Sequence, residues 1–231
     1  AGTVVLLVFS VIYGNALAVV SSAIYGASLI ILYTMSTLYH SFTNERVKHF
    51  FQIMDHNTIF LLIAGTYTPI TLYILGGVTG WILFSVVWVA SIIGITLNSI
   101  NMEKAKIPSL ICYIATGWVI IFAIKPLIAK VPFLSALFLV LGGVIYTVGV
   151  VFYVIKKVKY FHPIWHIFTV LGSAFHYFSI LIAIIKMKKR SNKYKIRRIC
   201  VVIILVVIVM NIIPKNLRIY FIDVGQGDST L

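Results

Sequence analysis

Charge is what this chain has least of: charged residues fill 10% of its 231 positions, and acidic residues number five. A soluble domain carries about a quarter charged residues, so a surface that faces water on all sides is excluded. Cysteine is scarcer still. Cys112 and Cys200 are the two, each inside an apolar stretch with no C-x-x-C partner. That excludes a disulfide framework and a thiolate metal site, and leaves both as packing residues. What fills the space is apolar: 61% of the residues are hydrophobic and the mean hydropathy is +1.07. Such a balance suits lipid, and the fold class it implies is an all-α, multi-pass membrane protein. A net charge of +14 would suggest nucleic acid for a soluble chain. Here the Lys and Arg residues gather in short loops and one tail, where they act as topology signals and headgroup contacts. Membrane lipids are the expected partners; neither nucleic acid nor a protein partner is.

Seven apolar runs follow one another with short polar breaks. The first, Thr3 to Tyr13, is shorter than the roughly 20 residues that a span needs and is expected to be a helix missing its beginning. The others run from Ala16 to His40, Phe50 to Leu75, Trp81 to Ile100, Ile107 to Ile124, Pro132 to Ile155 and His162 to Ile185. The Gly76, Gly77 and Gly80 cluster, Asn101 to Lys106, and Lys156 to Lys159 read as the clearest breakers. The expected architecture is a seven-transmembrane helix bundle.

Loop charge orients it. The loops after runs two, four and six hold Arg46, Lys48, Lys104, Lys106, Lys156, Lys157 and Lys159, whereas those after one, three and five hold Lys125 and Lys130. The first group is expected to be cytoplasmic, which puts the start of the chain inside and the end of run seven outside, in a cell membrane. With that orientation His40, Asp55, His162 and His166 all fall in one layer near the cytoplasmic face. Ionisable groups in membrane segments are costly, so such a cluster is a functional site by default. His162 and His166 lie four apart on one helical face, as two imidazoles sharing an ion must. Three His with one open position is the donor set of a catalytic zinc, which keeps a water and can lower its pKa to about 7. The expected metal ligands are therefore His40, His162 and His166, with zinc as the cofactor. Asp55, the acidic residue inside the seven runs, is expected to take a proton from that water or orient it. Ser36, four before His40 on the same face, is expected to bond the water or a substrate oxygen. Pro163 suits the first turn of a helix, where its missing N–H is no loss.

The remaining polar and aromatic residues have plainer readings. His49 is expected in a solvated loop. His56 points about 100° away from Asp55 on a helix and stays out of the ligand set. His176 stands about 15 Å along the axis from His166, too far to share its ion, and reads as an interhelical hydrogen bonder. Tyr39, Trp165, Tyr177 and Phe178 read as interface or core aromatics. Gly65, Gly142, Gly143 and Gly172 read as points of close helix approach.

The motif Ser36-Thr37-Leu38-Tyr39-His40, then Asp55 within the stretch from Met54 to Pro69, then His162-Pro163-Ile164-Trp165-His166 with Gly172 and His176 beyond, resembles the hemolysin III proteins. These are the bacterial branch of the progestin and adiponectin receptor family, and the resemblance covers roughly Ala1 to Ile185. It implies seven helices with the start inside, and zinc near the cytoplasmic face on the counterparts of His40, His162 and His166, with those of Asp55 and Ser36 beside it. It also implies a lipid amide or ester hydrolase acting through a metal-bound hydroxide. A second class stays open: a haemolytic pore or a receptor-like protein in which zinc only braces helices. The polar Glu and His motif that the family carries in its first helix is absent from this sequence.

The last 45 residues read differently. Eight basic residues fall between Lys186 and Arg198, on the side expected to be outside, against the positive-inside tendency. Met187, the basic run and the apolar stretch Ile199 to Ile213 read as a start, an n-region and a signal anchor, so two coding sequences are expected to join near Lys186. The end, Tyr220 to Ser229, resembles the first strand and loop of the metallo-β-lactamase domain of ComEC-like competence proteins. The expected domains are thus a membrane domain over 1–185, a basic junction over 186–198, an apolar anchor helix over 199–214 and a truncated domain with a short strand fragment over 215–231.

Overall fold

The computed structural model describes residues 2–155 and 160–187, and among these every regular element is helical. The expected anchor helix and strand fragment, Cys200 and the Lys156–Lys159 break lie outside the described residues. Six helices are long and apolar enough to cross a membrane. They are α2 (Ala16–Ser41), α3 (Glu45–Thr68, continued by a π-helical turn over Pro69–Leu75), α4 (Gly77–Ile100), α5 (Met102–Gly117), α7 (Phe133–Val154) and α8 (Phe161–Lys186). The span begun by α5 continues through a 3-10 turn, Val119–Ala123, and the short α6, Ile124–Ile128. Ahead of them α1 (Gly2–Tyr13) is shorter.

Asparagine caps the start of three of these helices, two of which begin earlier than hydropathy suggests. The Asn15 side chain accepts the Ala18 N–H, Asn44 accepts those of Arg46 and Val47, and Asn101 accepts that of Lys104. Each satisfies N–H groups that a helix start leaves orphaned. Two expectations are corrected as a result. Residues 45–49 are the first turn of α3, so His49 is helical, though exposed. Residues 102–106 belong to α5, and only Asn101 breaks the chain there. Polar helical turns that project beyond lipid have no hydropathy signal.

Two breaks inside spans are built from side chains. Pro69 has no N–H to give the preceding turn, and the backbone widens until the Gly76 N–H reaches the Thr71 carbonyl at 2.8 Å. Gly76 and Gly77 then adopt φ of 59° and 63°, which turns the chain into α4. Gly80 is not a breaker. It lies inside α4 against the π-helical turn, where an added Cβ would stand 2.2 Å from the Thr71 carbonyl oxygen. At the end of α5 the buried Tyr67 hydroxyl donates to the Gly117 carbonyl and accepts the Ile120 N–H, at 2.8 and 2.9 Å, covering the groups the break exposes.

Small residues let the helices approach. Gly65 packs on Ser28, Gly142 on the His176 ring and Gly172 on the Tyr146 ring, as the sequence suggests; Gly143 makes only ordinary contact with Trp118. The core runs along the buried faces of α2, α3, the π-helical turn and α8. Large apolar side chains cover the outer faces, Trp81, Ile92, Ile111, Phe133 and Val151 among them. That is the inverse of a soluble surface and fits a lipid boundary.

Candidate metal centre

His40 closes the last turn of α2, while His162 and His166 occupy the first turns of α8. Their α8 spacing of four puts both rings on one face, and Pro163 lies in that same first turn, as expected. The three Nε2 atoms converge: His40 to His162 is 3.3 Å, His40 to His166 is 3.2 Å and His162 to His166 is 3.1 Å. A tetrahedral zinc with bonds of about 2.0–2.1 Å holds its donors about 3.3 Å apart. The triangle therefore has the dimensions of three donors around one ion. Neutral imidazole has a single N–H, so three rings facing one another by the same atom cannot all satisfy each other by hydrogen bonds. A cation removes the conflict. Among the described residues this is the group of His, Cys or carboxylate side chains whose ligand atoms meet in this way. His40 and His162 are exposed and His166 is half-buried, so the centre opens at the end of the bundle.

Asp55 and Ser36 stand beside the triangle rather than in it. The carboxyl of Asp55 is not part of the converging group. It is half-buried on α3, within electrostatic reach of His56 and His162, with Ser36 of α2 beside it. Three phenols, unforeseen in the sequence, share its electrostatic surroundings. Tyr39, Tyr113 and Tyr153 lie within electrostatic reach of Asp55. These contacts cross between helices and leave no spacing signal.

His56 is not one of the converging ligands, as its helical angle suggests, though it lies within electrostatic reach of Asp55. Its Nδ1 sits 2.8 Å from the Gln52 carbonyl, an acceptor, so Nδ1 carries the proton; Nε2 then accepts the Tyr153 hydroxyl at 2.9 Å. His176 lies far from the triangle and pairs its Nε2 with the Leu139 carbonyl of α7 at 3.2 Å, the interhelical bond expected of it. Between α3, α5, α7 and α8 lies a mostly apolar cavity of about 110 Å³, with Ile63, Tyr67, Trp118, Val150, Tyr153 and Trp165 on its walls. Tyr153 belongs to both this cavity and the surroundings of Asp55.

With this geometry in place, comparison with known proteins is decisive at the level of family. The model of the haemolysin-III related family matches residues 1–177. This chain belongs to the haemolysin-III related family. It is similar to Hemolysin-3 of Bacillus cereus, 40% identical over 178 residues that cover 77% of this chain and 81% of that one. The Hemolysin-3 homolog of Bacillus subtilis (strain 168) is also 40% identical, over 183 residues that cover 79% and 86%. A more distant likeness, 29% over 169 residues covering 70% and 69%, joins it to the monocyte to macrophage differentiation factor of Homo sapiens. No solved structure matches the chain. This haemolysin-III protein is thus an integral, multi-pass membrane protein, as both the family and the six spans indicate.

Proposed function

We propose that this haemolysin-III protein is a zinc-dependent intramembrane hydrolase that cleaves a lipid amide or ester. The observation that carries the reading is the convergence of three Nε2 atoms from α2 and α8 to 3.1–3.3 Å. His40, His162 and His166 would hold a zinc ion, which would supply Lewis acidity and lower the pKa of a water. Asp55 takes a proton from the water on the reacting side, and Ser36 fixes the carboxylate that does so. A structural zinc is usually closed by four protein ligands, so a carboxylate held outside the triangle favours chemistry over bracing. The apolar cavity that Tyr153 shares with the surroundings of Asp55 favours a lipid substrate, whose tail would lie there.

The same reading counts α1 with the six spans as a seven-helix bundle, with the start of the chain inside and the end of α8 outside. The basic first turns of α3 and α5 then face the cytoplasm, on the side of the triangle. Residues 1–185 form the membrane domain.

A second reading rests on the relatives' name: Hemolysin-3 proteins at 40% identity suggest membrane lysis, with the metal as a brace. One preparation separates the two. The detergent-purified chain is assayed for bound zinc, then for release of fatty acid from a panel of lipid amides and esters, and for leakage from erythrocyte membranes. Zinc-dependent release supports the hydrolase; leakage that survives chelation, without release, supports lysis.

A further inference from the structure

The imidazole triangle demands that α2 and α8 keep one register, yet these helices are not closely packed against each other. Instead α1 lies against both, and α8 packs most closely on α7. A slip of one residue along either helix is a shift of about 1.5 Å, whereas metal–ligand distances tolerate about 0.2 Å. Something besides the rings must therefore fix the register.

The side chains that do so lie two turns away. Tyr33 precedes His40 by seven residues and Ser173 follows His166 by seven, so each stands on the face of its own helix that carries the imidazole, about 10.5 Å along the axis. The Tyr33 hydroxyl reaches across to the Ser173 hydroxyl at 2.8 Å and to the Thr169 carbonyl at 3.3 Å. The two pairs are rungs of one antiparallel ladder. Ser173 is itself held: Tyr146 of α7 bonds its Oγ at 2.5 Å, Tyr25 of α2 donates to its carbonyl at 3.4 Å, and the residue is buried. Thr169 continues the link toward the site, since its hydroxyl donates to the His166 carbonyl at 2.8 Å.

We infer that Tyr33, acting through Ser173 and Thr169, is a positioning residue that sets α2 against α8 and so pre-forms the imidazole triangle. This rests on the metal reading of that triangle. Inside the bundle no water competes for these hydroxyls, so the tie holds the two helices in one register. Tyr177, whose hydroxyl donates to the Gly2 carbonyl at 2.8 Å, sits one turn further along α8 and ties it to α1 instead. It provides the control.

The test titrates Co²⁺ into the detergent-purified full chain and follows the visible absorption of tetrahedral cobalt. Tyr33→Phe and Ser173→Ala are expected to weaken binding about tenfold, the low end of what loss of a ligand-supporting partner costs, and to shift the band. Tyr177→Phe is expected to change neither. The double variant Tyr33→Phe/Ser173→Ala is expected to bind no more weakly than the weaker single variant, because both remove one link. Wild-type affinity and spectrum in Tyr33→Phe would overturn the inference, and so would strictly additive losses in the double variant. No binding by the unaltered chain would overturn the metal reading beneath it, an outcome distinct from either.

Discussion

His40, His162 and His166 are proposed to hold the cation, whereas Asp55 is proposed to accept a proton, and single substitutions separate the two roles. Removing one of three donors leaves a two-coordinate site, so His166→Ala is expected to lose zinc by more than the roughly 10–100-fold that loss of a supporting partner costs. Asp55→Asn keeps the triangle and removes the proton acceptor. It is expected to retain zinc while hydrolysis falls by about 10²–10⁴-fold, the range of a general base. Metal analysis and a turnover assay on the same two preparations check both; full zinc in His166→Ala, or undiminished turnover in Asp55→Asn, contradicts the assignment. At this scale the sequence was legible where chemistry is rare: ionisable side chains in apolar runs stand out because lipid makes them costly. Tyr39, Tyr113 and Tyr153 were not legible. Each is an ordinary interface residue in sequence, and its tie to Asp55 or its neighbours exists only once α2, α3, α5 and α7 are assembled.

Element boundaries follow a different physics. Hydropathy located the apolar length of each span but missed the polar turns before α3 and in α5, which Asn44 and Asn101 cap outside the apolar zone. It also treated Gly76, Gly77 and Gly80 as one break, although two of them turn the chain and the third is a packing site. This difference is testable. Gly80→Ala places a methyl 2.2 Å from a backbone carbonyl oxygen, which cannot swing aside as a side chain would. It is expected to destabilise the protein by about 1–3 kcal/mol, as overpacking does. Gly117→Ala, with open space around the new methyl, is expected to change thermal unfolding little. Equal stability of the two variants in detergent contradicts the role given to Gly80. A buried polar pair also escaped sequence reading: Asn98 of α4 donates to Asn57 of α3, which donates to Ser99, each at 2.8 Å. Such a network holds two helices where lipid offers no hydrophobic drive to pack them.

For the whole molecule, the family and the lipid-facing surface agree on a multi-pass membrane protein, and orientation is the property that joins charge to site. With Cys112 and Cys200 replaced, Lys48→Cys and Val78→Cys report on opposite ends of the bundle, and both positions are exposed. An impermeant maleimide is expected to label Val78→Cys in intact cells and Lys48→Cys only after permeabilisation; the reverse pattern would invert the proposed topology. The central claim is that α2 and α8 bring three imidazoles to one cation. X-ray absorption at the zinc edge of the detergent-purified full chain tests it most directly. The account expects about one zinc per chain with three imidazole nitrogens at about 2.0–2.1 Å. A chain that retains no zinc when supplied with it, or binds it without imidazole in the coordination shell, contradicts the account.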